Sequence, residues 1–327
     1  MAKSISLPLI VVALLALVLS APAQASHQPP LNVVTTTGIV ADLVREVGGD
    51  CVSVTALMGP GVDPHLYRAS AGDVQLLDEA ELIVYNGWFL EGAMDSLLKR
   101  LAERRPTLAV AETVAPELLL PVAEEGFQYD PHLWLAPALW QQTIPGLVNA
   151  LTELRPICAP EFDANAARHQ AELLALHDWA QATLASIPPE RRILVTAHDA
   201  YNYFAAAFGF EASEATQGIS TEAEASIADI RAVAELVVSR QIPAIFVETA
   251  VNRRNIEAVQ AAARDRGWEV TIGATLFADA MGDPGTPEGS YLGMIRHNVL
   301  AITAALGGSP APWPDQLRAW AERWGLQ

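Results

Sequence analysis

The chain has 327 residues, 51% of them hydrophobic, which is ample for a packed core and favours two lobes over one. Lys and Arg number 20 against 38 Asp and Glu, for a formal charge of −18. That balance argues against nucleic acid or an anionic membrane surface as partner, because both would repel the protein.

The opening "MAKSISLPLIVVALLALVLSAPAQAS" carries a basic Lys3, an apolar run over 7–19 and small residues Ala23 and Ala25 on either side of Gln24. This is the pattern of a secretory signal peptide, residues 1–25, cut before Ser26. Losing Lys3 makes the mature chain one unit more acidic. The apolar run is too short to cross a bilayer comfortably, and no cysteine lies near the cut to carry a lipid. The expectation is a soluble, exported, periplasmic monomer with no direct membrane insertion.

After the signal, β-branched runs alternate with amphipathic helices. Strands are predicted at 31–37, 51–57, 81–86 and 107–112, with helices over 39–47 and starting near Ser70 and Leu90. A helix over 137–154 breaks the rhythm, and a second one, 161–186, is stopped by Pro188 and Pro189. At 1.5 Å per residue the latter would reach about 39 Å, enough to run the height of two lobes. Strands resume at 193–198, 244–249 and 269–274, with helices at 201–208, 226–239, 255–265, 290–306 and 315–324. This predicts an α/β fold of two lobes, each a parallel sheet flanked by helices, bridged by one long helix. The expected division is an N-terminal lobe at 26–156, a linking helix at 157–188 and a C-terminal lobe at 189–327.

Open parallel sheets collect ligands at the carboxyl ends of their strands. His65 falls on the loop after the second strand, His132 after the fourth, His198 directly after "ILVTA", and Asp279 after the last strand. Two of the seven histidines, His65 and His132, sit in the same tripeptide, Asp-Pro-His. Three imidazoles and one carboxylate suit a first-row divalent ion, zinc above manganese. The four are far apart in the chain, so spacing alone is weak. The flanking blocks are more specific: "GVDPHLYRASAGDVQLLDEAELIVYNGWFLE", "DPHLWLAP", "VTAHDAYNYFAAAFGFE", "QGISTEAEAS", "IFVET" and "DAMGDPGTPEGSYLGMIRHNV". In this order, over nearly the whole mature chain, they resemble the periplasmic solute-binding proteins of zinc and manganese ABC transporters.

That resemblance implies two lobes joined by a rigid helix, with the metal in the cleft held by His65, His132, His198 and Asp279. It also implies delivery of the metal to an inner-membrane permease. Manganese-binding members tend to carry glutamate where this chain has His198, which points to zinc with manganese as the alternative. The family's zinc importers often carry a histidine-rich loop where this chain has the short, histidine-free 112–129. Ala136 replaces a frequent Asp beside the second Asp-Pro-His. A competing function is an exported zinc hydrolase with three histidine ligands and Asp279 as general base, but the chain carries no HExxH pair. A metal chaperone or adhesin role is a further alternative.

The remaining candidates read as support or surface. His169 and His177 are expected to be solvated on the long helix, and His27 sits at the mature terminus. His297 is expected to be structural or to support the site. Glu222 and Glu224 precede an exposed helix start, Asp199 is expected to cap the helix after His198, and Asn86 to fix the His65 loop. The two cysteines, Cys51 and Cys158, are either a disulfide tying the long helix to the first lobe or two separate buried thiols.

Overall fold

The structure is a computed structural model that describes residues 28–124 and 126–326; the expected signal segment and His27 lie outside them. The chain begins with β1 (Leu31–Thr35), α1 (Gly38–Gly48), β2 (Val52–Ala56), α2 (Ala71–Glu79), β3 (Leu82–Tyr85), α3 (Asp95–Ala102) and β4 (Thr107–Ala109). The four strands form one parallel sheet in the order β2-β1-β3-β4, with Val33 opposite Val54 and Val34 opposite Ile83. The central strands are apolar on both faces because helices cover both. Thr37 opens α1 by accepting from Val40 N, and Ser70 opens α2 in a capping box with Asp73.

The helix expected near Leu90 starts later, at Asp95. Glu91, buried under that segment, accepts from the Asn86 and Gly87 N–H groups and from Thr36 Oγ1 (2.7 Å), and Trp88 and Phe89 take up left-handed φ of 49° and 68°. This pinned turn delays the helix, which is entered through a single 3₁₀ turn at Gly92–Met94. The expected 137–154 helix is interrupted: α4 (Pro137–Trp140), one 3₁₀ turn (Gln141–Thr143), then α5 (Ile144–Leu154). Pro145 has no N–H to bond back into the preceding turn.

The long helix, α6 (Ala159–Leu184), buries Phe162, Ala166, Leu173, Leu176, Trp179 and Leu184 against its neighbours. Its start is tied to the first sheet by a disulfide between Cys51 and Cys158, and Glu161 Oε1 accepts from Asp50 N (3.0 Å). Cross-linking residues 107 positions apart restricts the unfolded chain by at most about 4–5 kcal/mol.

The second half runs β5 (Ile193–His198), α7 (Asn202–Phe208), β6 (Ala212–Gln217), α8 (Ile227–Ser239), β7 (Ala244–Ile245), α9 (Arg254–Arg264), β8 (Thr271–Ile272), α10 (Tyr291–Ala305) and α11 (Arg318–Arg323). β5 pairs in parallel with β6, and β7 with β8; Phe246 N donates to Val195 O (2.8 Å) and joins the two ladders. The expected strands at 244–249 and 269–274 are reduced to two-residue ladders plus a lone bridge between Glu248 and Leu276. β6 was not expected: "ASEATQ" has helix-friendly Ala and Glu and no apolar alternation. It is extended because the fully buried β5 supplies hydrogen-bond partners along its length. No helix among the described residues is long and apolar enough to cross a membrane.

Candidate metal centre

The two Asp-Pro-His tripeptides fold in the same way. Asp63 Oδ1 accepts from His65 N (2.9 Å), and Asp130 Oδ1 accepts from His132 N (2.9 Å). Each aspartate closes a turn on the backbone of the histidine two residues on, while the intervening proline fixes φ and needs no partner for an N–H. The turn aims the imidazole inward from a loop that would otherwise be free. Asp130 does more: its Oδ1 also lies 2.8 Å from His132 Nδ1, and Asn202 Nδ2 donates to its Oδ2 (3.1 Å).

His198 is the last residue of β5, and its Nδ1 lies 2.6 Å from Glu248 Oε2. The other oxygen of Glu248 accepts from Ala197 N and His198 N. Asp279 arrives on the loop following the Glu248–Leu276 bridge, and Trp134 Nε1 donates to the neighbouring Ala278 O (2.9 Å).

These elements bring all four expected side chains to one point, each no more than 2% exposed. His65 Nε2 lies 3.3 Å from His132 Nε2 and 3.5 Å from Asp279 Oδ2. His198 Nε2 is 3.3 Å from the same oxygen, and His132 Nε2 is 3.6 Å from Oδ1. A tetrahedron of donors around zinc, at about 2.0–2.1 Å from the ion, has edges of roughly 3.3–3.4 Å. The four measured separations fit that size.

Asp130 stands behind Nδ1 of His132 and Glu248 behind Nδ1 of His198, so both rings turn their Nε2 atoms toward the centre. Among the described residues neither oxygen of buried Asp279 has a hydrogen-bond partner of good geometry; only the imidazoles face it. Three imidazoles and a carboxylate crowded into a buried space are costly, and a cation placed among them offsets that cost. Burial, then the His132 and His198 charges, drop the His65 imidazole to about 3, with Asp279 opposing. Burial opposes charge on His198 too, but Glu248 and Asp279 outweigh it and lift His198 well above its ordinary value. Asp279, raised by burial, is pulled below the usual carboxylate range by His198, His132 and His65.

Several supporting residues differ from expectation. His169 is buried, not solvated, because α1 and α10 pack over that face of α6; its Nδ1 lies 3.3 Å from Glu172 Oε2. With Glu46 it forms a second histidine–carboxylate group, but Arg168 already ties Glu46 (3.0 Å) and Glu172 (2.9 Å) and offsets part of their charge. His177 is half-buried against the Phe208 ring rather than solvated. Asn86 does not fix the His65 loop; its amide donates to Pro131 O (3.0 Å) and braces the His132 loop instead. Asp199 does not cap α7, which starts after Tyr201 with no side-chain cap. His297 is structural, its Nε2 2.9 Å from Thr275 O and its ring against Phe277. Glu222 and Glu224 are exposed ahead of α8, whose start is capped by Ser226 with Asp229. Ala136 is buried at the start of α4. Glu248 was missed from sequence; its signal is one acid at the end of the apolar run "AIFVET".

Comparison with known proteins finds relatives over most of the chain. A family model described as "Zinc-uptake complex component A periplasmic" matches residues 33–305. The zinc-binding protein TroA of Treponema pallidum is 43% identical over 282 residues, covering 86% of this chain and 90% of TroA. The manganese-binding lipoprotein MntA of Bacillus subtilis is 42% identical over 281 residues, covering 86% of this chain and 91% of MntA. The solved structure of the periplasmic zinc-binding protein TroA superposes with a TM-score of 0.82, covering 85% of this chain and 99% of that one. Overall identity therefore does not separate zinc from manganese.

Proposed function

The chain belongs to the family of metal-binding solute-binding proteins of zinc and manganese ABC transporters, and on that premise we propose that it captures zinc with His65, His132, His198 and Asp279. Manganese is the alternative cargo. The zinc would be handed to an inner-membrane permease from a periplasmic, monomeric carrier with lobes at 26–156 and 189–327 joined by the 157–188 helix. The observation that carries the reading is a buried Asp279 with no hydrogen-bond partner of good geometry among the described residues, faced by three imidazole Nε2 atoms.

Donor chemistry supports zinc over manganese. Three nitrogens and one oxygen make a softer set than manganese favours, and zinc outbinds manganese at equal geometry. Four protein ligands, all buried, suit capture rather than catalysis, because catalytic zinc keeps a position open for water or substrate.

The test is the unfolding midpoint of chelator-stripped protein with each metal. Zinc at about a thousand times its dissociation constant should add about 4 kcal/mol of stability, since it binds only the folded chain. Manganese should add less, and zinc should displace it in competition. No shift with either metal would remove the reading; a larger shift with manganese would reverse the choice of cargo.

A further inference from the structure

The segment Gly218–Thr221, between β6 and α8, is where the C-terminal half reaches across to the loops that carry His65 and His132. Thr221 Oγ1 donates to Asp63 Oδ2 (2.6 Å), and the other oxygen of Asp63 holds the His65 backbone. Ile219 N donates to Glu124 Oε2 (3.0 Å), at the tip of the loop that closes through the Pro121–Tyr129 bridge and leads into Asp130 and His132. Gly218 O accepts from Asp199 N (3.1 Å), the residue after His198. Three of these four residues thus touch the segments that carry the three histidines. Ile219, Ser220 and Thr221 are themselves buried.

We infer that Gly218–Thr221 is a clasp that sets the rate of metal release, with Thr221 positioning His65 through Asp63. This rests on the metal-capture reading above. The Thr221–Asp63 bond is the stronger half: it is short, its acceptor is a carboxylate, and it is partly shielded from water. Glu124 is exposed and contributes less. Breaking the Thr221 bond frees the His65 turn on one side, so the ion is lost faster. Association is set mainly by encounter with the hydrated ion and not by this bond, so it changes much less than release.

Three proteins are compared: the parent, Thr221→Val and Thr221→Ser. Each is loaded with zinc and mixed with excess chelator, and the release rate is followed alongside the association rate and the metal-free unfolding midpoint. Thr221→Val keeps the shape and loses the donor; it should release zinc about tenfold faster, with association within twofold. Thr221→Ser restores the donor and should return release to within about twofold of the parent. Parent that binds zinc while Thr221→Val releases it at the parental rate overturns the clasp. So does Thr221→Ser failing as badly as Thr221→Val with an equal drop in the midpoint. Parent that binds no metal overturns the capture reading instead.

Discussion

Nδ1 of His198 lies 2.6 Å from Oε2 of Glu248, a carboxylate only 3% exposed whose other oxygen takes two backbone N–H groups at the end of β5. Glu248 therefore lies where a carboxylate orients the His198 ring and favours a proton on its Nδ1, leaving Nε2 to turn toward the centre.

Glu248→Gln is expected to weaken zinc binding by about 10- to 100-fold. A glutamine that keeps the backbone contacts through its carbonyl presents an N–H to Nδ1. The ring proton then moves to Nε2, where it blocks the lone pair needed for the metal. Isothermal titration of metal-free protein measures the change; affinity within twofold of the parent would show that the carboxylate does not control the ring.

Asp42 on α1 governs a separate property, the pH dependence of metal-free stability. Burial first, and Glu46 second, raise its carboxyl from 3.8 to about 6, against His169, the Tyr291 N–H and Arg45. The folded chain holds this proton more tightly than the unfolded chain. Its contribution to stability is complete below about pH 4 and is lost as pH climbs through about 6. The loss is at most about 3 kcal/mol, and less for a side chain that is not fully sealed. Asp42→Asn keeps an acceptor for Tyr291 N (3.2 Å) and removes the titration. It should match the parent near pH 4 and exceed it at pH 8 in urea unfolding; equal stability at both ends would contradict this assignment.

Much of the architecture could be read from residue pattern because parallel strands covered on both faces leave runs that are mostly apolar and do not alternate. "LNVVT", "LIVY" and "ILVTAH" are such runs, and each became a strand. β6 could not be read this way, since "ASEATQ" owes its extension to a neighbour rather than to its own composition. The positions of His65 and His132 were visible in the repeated Asp-Pro-His. The work of each aspartate was not, because an acid two residues before a histidine can cap, ligate or point to solvent with equal ease in a sequence. Glu248 and His169 were hidden for a related reason: what buries them comes from segments far away in the chain. Glu248 seals against β5, and His169 lies under α1 and α10.

The four-donor centre itself is tested most directly by X-ray absorption at the zinc edge of protein loaded with one equivalent of zinc. The geometry predicts three imidazole nitrogens and carboxylate oxygen at about 2.0–2.2 Å, with no sulfur. Loss of one imidazole from the spectrum is expected in each of His65→Ala, His132→Ala and His198→Ala. Fewer than three imidazoles in the parent, or a spectrum that none of these substitutions alters, would contradict the assignment of His65, His132, His198 and Asp279.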